Sequence, residues 1–350
     1  MSTVTIAVDL AKNVFEIAVA GRAGTIRERK RLSRPQFEQF WGARPPCRVV
    51  MEACASSHFW ARWLMARGFD VTLLPPHYVK PYRRRNKTDR ADCEAILEAD
   101  RCAGIHPVSV KSEDQQALVA LHRVRSQWLQ SRTARINAMR GLLHEFGVAG
   151  APGSQRFINE LHTLLASKQH LLSARVRHTI VMLWEEVRDL EQRIETIETE
   201  LKGVALEQPV IQALLKIPGI GLLTATALFA TVGDIHAFKS GRQLACWLGL
   251  TPRESSSGGR RRLGRISKQG DPYLRMLLVH GARAALNAAS RLEAADKPIT
   301  QLQAWSLNRA RESHRNKATV ALANKMVRIA WAVWYHERKF NGNHVIRVAA

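Results

Sequence analysis

Eight apolar side chains, Val176, Ile180, Leu183, Val187, Leu190, Ile194, Ile197 and Leu201, follow one another at spacings of 4, 3, 4, 3, 4, 3 and 4 residues. Only a long α-helix gathers such positions into one stripe, and a stripe of that period needs a partner to bury it. Glu185, Glu186, Glu191, Glu195 and Glu198 flank it among arginines. The heptad does not name its partner. One reading is a second copy of the chain, giving a dimerising coiled coil. The other is the chain's own earlier helical stretch, Glu113 to His144, which Gly147, Gly150, Pro152 and Gly153 terminate. Pairing between copies is the expectation.

The seam divides the 350 residues into three segments: an α/β region over 1–105, a helical region over 106–205 and a mainly helical region over 206–340. A chain this long exceeds one hydrophobic core. Its charge is lopsided. Lys plus Arg is 53 and Asp plus Glu is 30, a net of +23. Residues 1–105 contribute +7, residues 106–205 only +2 and residues 206–350 the remaining +14. Such an excess points to a polyanion, because each phosphate neutralised releases condensed counterions. No apolar run is long enough for a membrane span, and MSTVTIAVDLAKN reads as a strand rather than a signal peptide. Cys47, Cys54, Cys93, Cys102 and Cys246 are odd in number and lack zinc spacing, so they read as reduced and mostly buried thiols of a cytoplasmic protein.

The first segment reads β-β-β-α-β-α-β-α. Strands are expected at Val4–Val8, Val14–Val19, Gly24–Arg29, Cys47–Glu52 and Asp70–Leu74, with helices near 34–43, 57–67 and from Asp89. Asp9 and Glu52 each end an apolar strand, and Asp89 and Asp92 share one face at a helix start. Carboxylates that converge repel, and a divalent cation held by hard oxygen donors, Mg²⁺ above all, relieves them. Each acid alone reads as a turn or cap residue. Asp9 in AVDLAKN, Glu52 in VVMEA, and Asp89 with Asp92 in NKTDRADC together resemble the tetrad of a RuvC-like, RNase H-type domain, in the form found in DEDD transposases of the insertion-sequence-110 family, 1111 subgroup. The basic run Lys80, Arg83, Arg84, Arg85, Lys87 and Arg90 beside it fits a loop that grips a phosphate backbone, or simply a solvated charged face.

In the third segment, Ile217-Pro218-Gly219-Ile220-Gly221 ahead of a helix over 222–232 resembles a helix-hairpin-helix turn, with Gly219 and Gly221 letting amides approach a phosphate. Residues 253–275 hold seven cations and two acids in what reads as a flexible, hydroxyl-rich loop. Arg260, Arg261, Arg262, Arg265, Lys268 and Arg275 are its candidate nucleic-acid contacts. On its own the stretch reads as a phosphate-binding linker. GLTPRESSSGG and GRISKQGDPYLRMLLVHGA resemble the second signature of the same family, its C-terminal transposase domain.

The resemblance implies a serine nucleophile, Ser257 or, one register earlier, Ser256, that forms a phosphoserine link to DNA. It implies Mg²⁺ on Asp9, Glu52, Asp89 and Asp92, and a structured bridge RNA that pairs with donor and target DNA. It also implies a homodimer through the coiled coil, a homotetramer in the synapse, and work at the prokaryotic nucleoid in the cytoplasm. Tetrad and serine could then come from different subunits. Two other classes stay open on the residues alone: a metal-dependent nuclease of Holliday-junction-resolvase type that uses water, and a non-enzymatic nucleic-acid binder. Helices are further expected over 273–292 and, unbroken, over 299–335.

Overall fold

The computed structural model describes residues 4–21, 24–83 and 88–343. The chain separates into two compact units, residues 1–113 with 232–237, and residues 114–231 with 238–350.

The first unit holds β1 (Thr5–Leu10), β2 (Val14–Ala20), β3 (Ile26–Ser33), α1 (Arg34–Gly42), β4 (Arg48–Glu52), α2 (Ser57–Met65), β5 (Asp70–Leu74), α3 (Pro76–Val79) and α4 (Asp89–Asp100). The expected order of strands and helices is found, with β3 beginning and ending later than the sequence suggests. The sheet runs β3-β2-β1-β4-β5, antiparallel from β3 to β1 and parallel from β1 to β5. Strand alternation gives the sheet two unlike faces. Ile6, Val8, Phe15, Ile17 and Met51 pack on α1 and α2 with Phe37, Trp41 and Trp60. Phe15 stacks on Phe37 at 4.3 Å, and Trp60 meets both rings edge-on. The opposite face carries Ala7, Ala18 and Ala20 beside Val50 and Leu74, and receives Cys93, Ala95, Ile96 and Ala99 of α4.

The second unit holds α5 (Glu113–Glu145), α6 (Ser154–Ser167), α7 (Ala174–Glu207), α8 (Pro209–Leu215), α9 (Leu222–Val232), α10 (Gly241–Trp247), β6 (Pro252–Glu254), β7 (Leu263–Ile266), α11 (Pro272–Ala294), α12 (Gln301–Glu312) and α13 (Arg315–Tyr335). The heptad lies on α7, and its seam is filled from within the chain. Ile180 and Val187 share a core with Ile136, Met139 and Leu143 of α5, and Ile197 and Leu201 share one with Leu118. Three ion pairs set the direction: Arg125 with Glu198 at 2.6 Å, Arg132 with Glu191 at 2.5 Å and Arg135 with Glu186 at 2.7 Å. Partner numbers fall as α5 numbers rise, so the helices are antiparallel. The intramolecular pairing is therefore the one realised here.

Two further expectations are corrected. The helix over 299–335 breaks into α12 and α13, because Ser313 is extended and the His314 side chain caps the N-terminus of α13. Of the five free cysteines only Cys47 and Cys93 are buried, and Cys54 and Cys246 are exposed.

One buried polar chain crosses this unit. His122 of α5 is 4% exposed, with Nδ1 3.1 Å from the Tyr273 hydroxyl and Nε2 3.0 Å from the Thr226 hydroxyl. Burial, and next Arg125, hold the His122 pKa down at about 4, with Asp271 opposing. The folded chain thus keeps His122 neutral where the unfolded chain, near 6.5, binds a proton. Stability from this group is present above about pH 6.5 and is lost as pH falls toward 4, at up to about 1.4 kcal/mol per pH unit. Thermal denaturation at pH 7, 6 and 5 is expected to show a falling midpoint, and a flatter fall in His122→Gln.

Candidate active site

β1 and β4 are parallel neighbours, with Val8 opposite Met51. Both side chains belong to the aromatic face, so alternation turns the next residues, Asp9 and Glu52, side by side toward the α4 face. α4 begins at Asp89, its first turn closed by the Thr88 hydroxyl accepting from the Ala91 amide at 3.2 Å. Asp89 is exposed, and Asp92, one turn on, is 7% exposed. The positive end of the helix favours both anions. Asp9 registers the convergence, since its carboxyl is raised to about 6 by burial first and then by Asp92, Asp89 and Glu52 in turn. The four sequence-predicted carboxylates are therefore brought within electrostatic reach of one point. Beneath them the buried Cys93 thiol donates to the Glu16 carbonyl at 3.2 Å, and burial pushes its pKa well up.

Arg83 has a contact that the sequence reading did not show: it ion-pairs through Nε with Asp92 and lowers the Asp9 carboxyl. Its position nine residues before Asp92 in a basic run gave no sign of this. Lys80 and Arg90 are exposed, while Arg84, Arg85 and Lys87 lie outside the described residues. Among the described residues no three His, Cys, Asp or Glu side chains are drawn close enough to hold a metal ion as they stand. The donor set nonetheless suits a divalent cation, because it is all carboxylate oxygen and mutually repelling. Arg83 is the chain's own partial answer to that repulsion.

The serine stretch is a hairpin, β6 paired antiparallel with β7, rather than an irregular loop. At its tip Ser257-Gly258-Gly259-Arg260 forms a tight turn in which the Arg260 amide donates to the Ser257 carbonyl at 3.0 Å. Gly258 and Gly259 have φ of +56° and +75°, the left-handed pair that a two-residue hairpin turn demands. The adjacent serines differ. The Ser256 hydroxyl donates to Glu254 Oε1 at 2.8 Å and accepts from the Arg262 amide at 3.1 Å. The Ser257 hydroxyl makes no hydrogen bond with any described residue. Ser257, Arg260, Arg261, Arg262, Arg265 and Lys268 are all exposed.

The foot of the hairpin is tied to the rest of the unit by Arg275. Nη1 of Arg275 donates to the Leu248 carbonyl at 3.2 Å and the Gln269 carbonyl at 2.6 Å, one on each side of the hairpin. Nη1 of Arg275, read from the sequence as a nucleic-acid contact, is thus engaged by the protein's own carbonyls. Gly249 is glycine because a Cβ there would lie 2.4 Å from the Gln269 backbone. Gly219 likewise serves packing, since its Cβ would meet the Gly281 carbonyl of α11 at 2.7 Å. Gly221 is exposed, with open space around it at the start of α9.

Residues 6–147 match a family model described as a transposase, the DEDD transposase of the IS110 type, and residues 211–296 match the transposase model of the IS116/IS110/IS902 family. A probable family 20 transposase of Pseudomonas aeruginosa is 41% identical, covering 96% of this chain and 98% of that protein. The transposase for insertion sequence element IS1111A of Coxiella burnetii is 40% identical, covering 93% of this chain and 88% of its own. The transposase for insertion sequence element IS1328 of Yersinia enterocolitica is also 40% identical, over 94% and 96%. The first matched segment contains all four carboxylates and the second contains the serine hairpin.

Two outcomes are expected. Millimolar Mg²⁺ or Mn²⁺ should raise the melting temperature of the wild-type chain by linkage, and Asp9→Asn, which removes one repelling charge, should melt higher without metal and respond less to it. Arg275→Met should speed hydrogen exchange of the Ser267 and Lys268 amides about two- to tenfold, the loss of about 0.5–1.5 kcal/mol when one exposed and one half-buried hydrogen bond lose their donor.

Proposed function

This chain belongs to the IS110/IS116/IS902 family of DEDD transposases, enzymes that act on DNA, and from that premise we propose that it is an RNA-guided, site-specific recombinase that uses Ser257 as its nucleophile. The observation that carries the serine assignment is the contrast at the hairpin tip. Ser256 is tied into the ladder, whereas Ser257 stands exposed and unbonded among exposed arginines.

The chemistry follows from groups of this chain. The Ser257 oxygen attacks the scissile phosphorus, the P–O bond to the leaving sugar breaks, and the serine proton ends on the released hydroxyl. The phosphodiester energy is kept in the phosphoserine, so a sugar hydroxyl attacking that phosphorus reseals the DNA without a cofactor. Arg260, Arg261, Arg262 and Arg265 surround the turn with positive charge that answers the growing charge on the phosphoryl oxygens. Asp9, Glu52, Asp89 and Asp92 would hold the divalent cation, Mg²⁺ in this reading, which when bound polarises the phosphate. With a cation held there, Asp92 would be shared between it and Arg83. Lys80, Arg90 and Lys268 grip backbone without reading bases. Sequence choice is assigned to base pairing by a structured guide RNA, a division of labour known from other guided enzymes. Assembly into dimers and a synaptic tetramer belongs to the same proposal.

A nicked suicide DNA incubated with protein, guide RNA and Mg²⁺ tests it on a denaturing gel. The wild type and Ser256→Ala should trap a protein–DNA adduct, and Ser257→Ala should trap none. An adduct lost in Ser256→Ala and kept in Ser257→Ala would move the nucleophile by one residue. Cleavage without adduct in every variant would favour a water-using nuclease instead.

A further inference from the structure

Lys325 of α13 is half-buried and makes no hydrogen bond or ion pair with any described residue. Its ammonium lies 4.0 Å from the centroid of the Trp305 ring of α12. The charges beside it have its own sign. Arg328 sits one turn further along α13, and Arg309 one turn beyond Trp305 on α12. Burial, then Arg328, then Arg309 push the Lys325 pKa down. Arg309 has a surface partner in Glu312 at 2.8 Å. Arg328, like Lys325, has no hydrogen bond or ion pair with a described residue. An aromatic face stabilises one cation modestly, but it does not offset two further like charges. Elsewhere in the chain a partly buried guanidinium meets a carboxylate, as with Arg125 and Glu198, or Arg132 and Glu191. Here no carboxylate among the described residues pairs with Lys325 or Arg328.

We infer that Trp305, Arg309, Lys325 and Arg328 form a phosphodiester-backbone subsite on α12 and α13, distinct from the carboxylate site and the serine hairpin. The phosphate would supply the anion that the cluster lacks. Point charges on long stems hold backbone and read no sequence, which suits a chain whose sequence choice is assigned to RNA. The subsite also has a structural link to the hairpin. Asn324, next to Lys325, donates its side-chain amide to the Leu250 carbonyl at 3.1 Å, just ahead of β6. The helix that carries the cluster therefore also braces the foot of the strand leading to Ser257. The four residues lie beyond both segments matched by the family models, 6–147 and 211–296.

Fluorescence anisotropy of a labelled duplex DNA and of a labelled structured RNA, each of arbitrary sequence, over a series of salt concentrations tests the subsite. Lys325→Met keeps the stem on Trp305 and removes the charge. It should weaken binding about threefold or more and flatten the log K against log salt slope by about 0.9 for duplex DNA if one phosphate contact is lost. Its melting temperature should equal or exceed that of the wild type, because a like-charge repulsion is gone. Arg328→Gln should behave the same way, and Lys325→Arg should restore binding. A changed slope on DNA assigns the subsite to DNA, and a changed slope on RNA alone assigns it to the guide. Unchanged affinity and slope on both nucleic acids in both variants would overturn the inference. So would weaker binding that comes only with a lower melting temperature in both, since the cluster would then be structural.

Discussion

How closely α4 approaches the sheet decides what the first unit can do. Ala7, Ala18 and Ala20 leave room on one face for a helix whose own contact residues include Ala95 and Ala99. Small residues on both sides bring backbone near backbone. With the helix that close, Asp92 is driven against the ends of β1 and β4, where Asp9 and Glu52 already sit. Burial first, and then repulsion from Asp92, Asp89 and Glu52, raise Asp9 to about 6, and both follow from that packing. The other face is filled instead by the rings of Phe15, Phe37, Trp41 and Trp60.

Arginine has two separate uses in this chain. Some guanidiniums are absorbed by the fold. Arg125, Arg132 and Arg135 zip α5 to α7, Arg83 faces Asp92, and Arg275 clamps two carbonyls at the hairpin foot. Other cations, such as Arg260 at the serine turn and Lys325 and Arg328 near Trp305, have no ion pair among the described residues. The net charge of +23 cannot tell the two apart, since charge counts valence and not acceptors. The second group is the one available to phosphate.

The strand and helix order of the first unit was legible because period-two runs and turn residues mark each element locally. The carboxylates were legible for the same reason, each ending a run or opening a helix. What misled was conformation set by distant contacts. The serine stretch looked like a linker, yet the ladder bonds from Ser255 to Arg262 and the paired glycines make it a hairpin. Gly219 reads as a turn that lets amides approach a phosphate, and nothing local shows that the Gly281 carbonyl packs beside it. Ser256 and Ser257 are chemically identical in sequence and differ only in which hydroxyl the hairpin consumes.

Local pattern by itself determined the elements, the apolar faces and the residue types at the two sites, because periodicity and turn chemistry act over a few residues. Tertiary structure alone decided the partners. The heptad of α7 specified a seam and left open what would fill it. The antiparallel α5 filled it because the arginines at 125, 132 and 135 meet the glutamates at 198, 191 and 186 only in that register. A stripe or a charge states what must be compensated, and only the folded chain shows which group does so and which charges it leaves over.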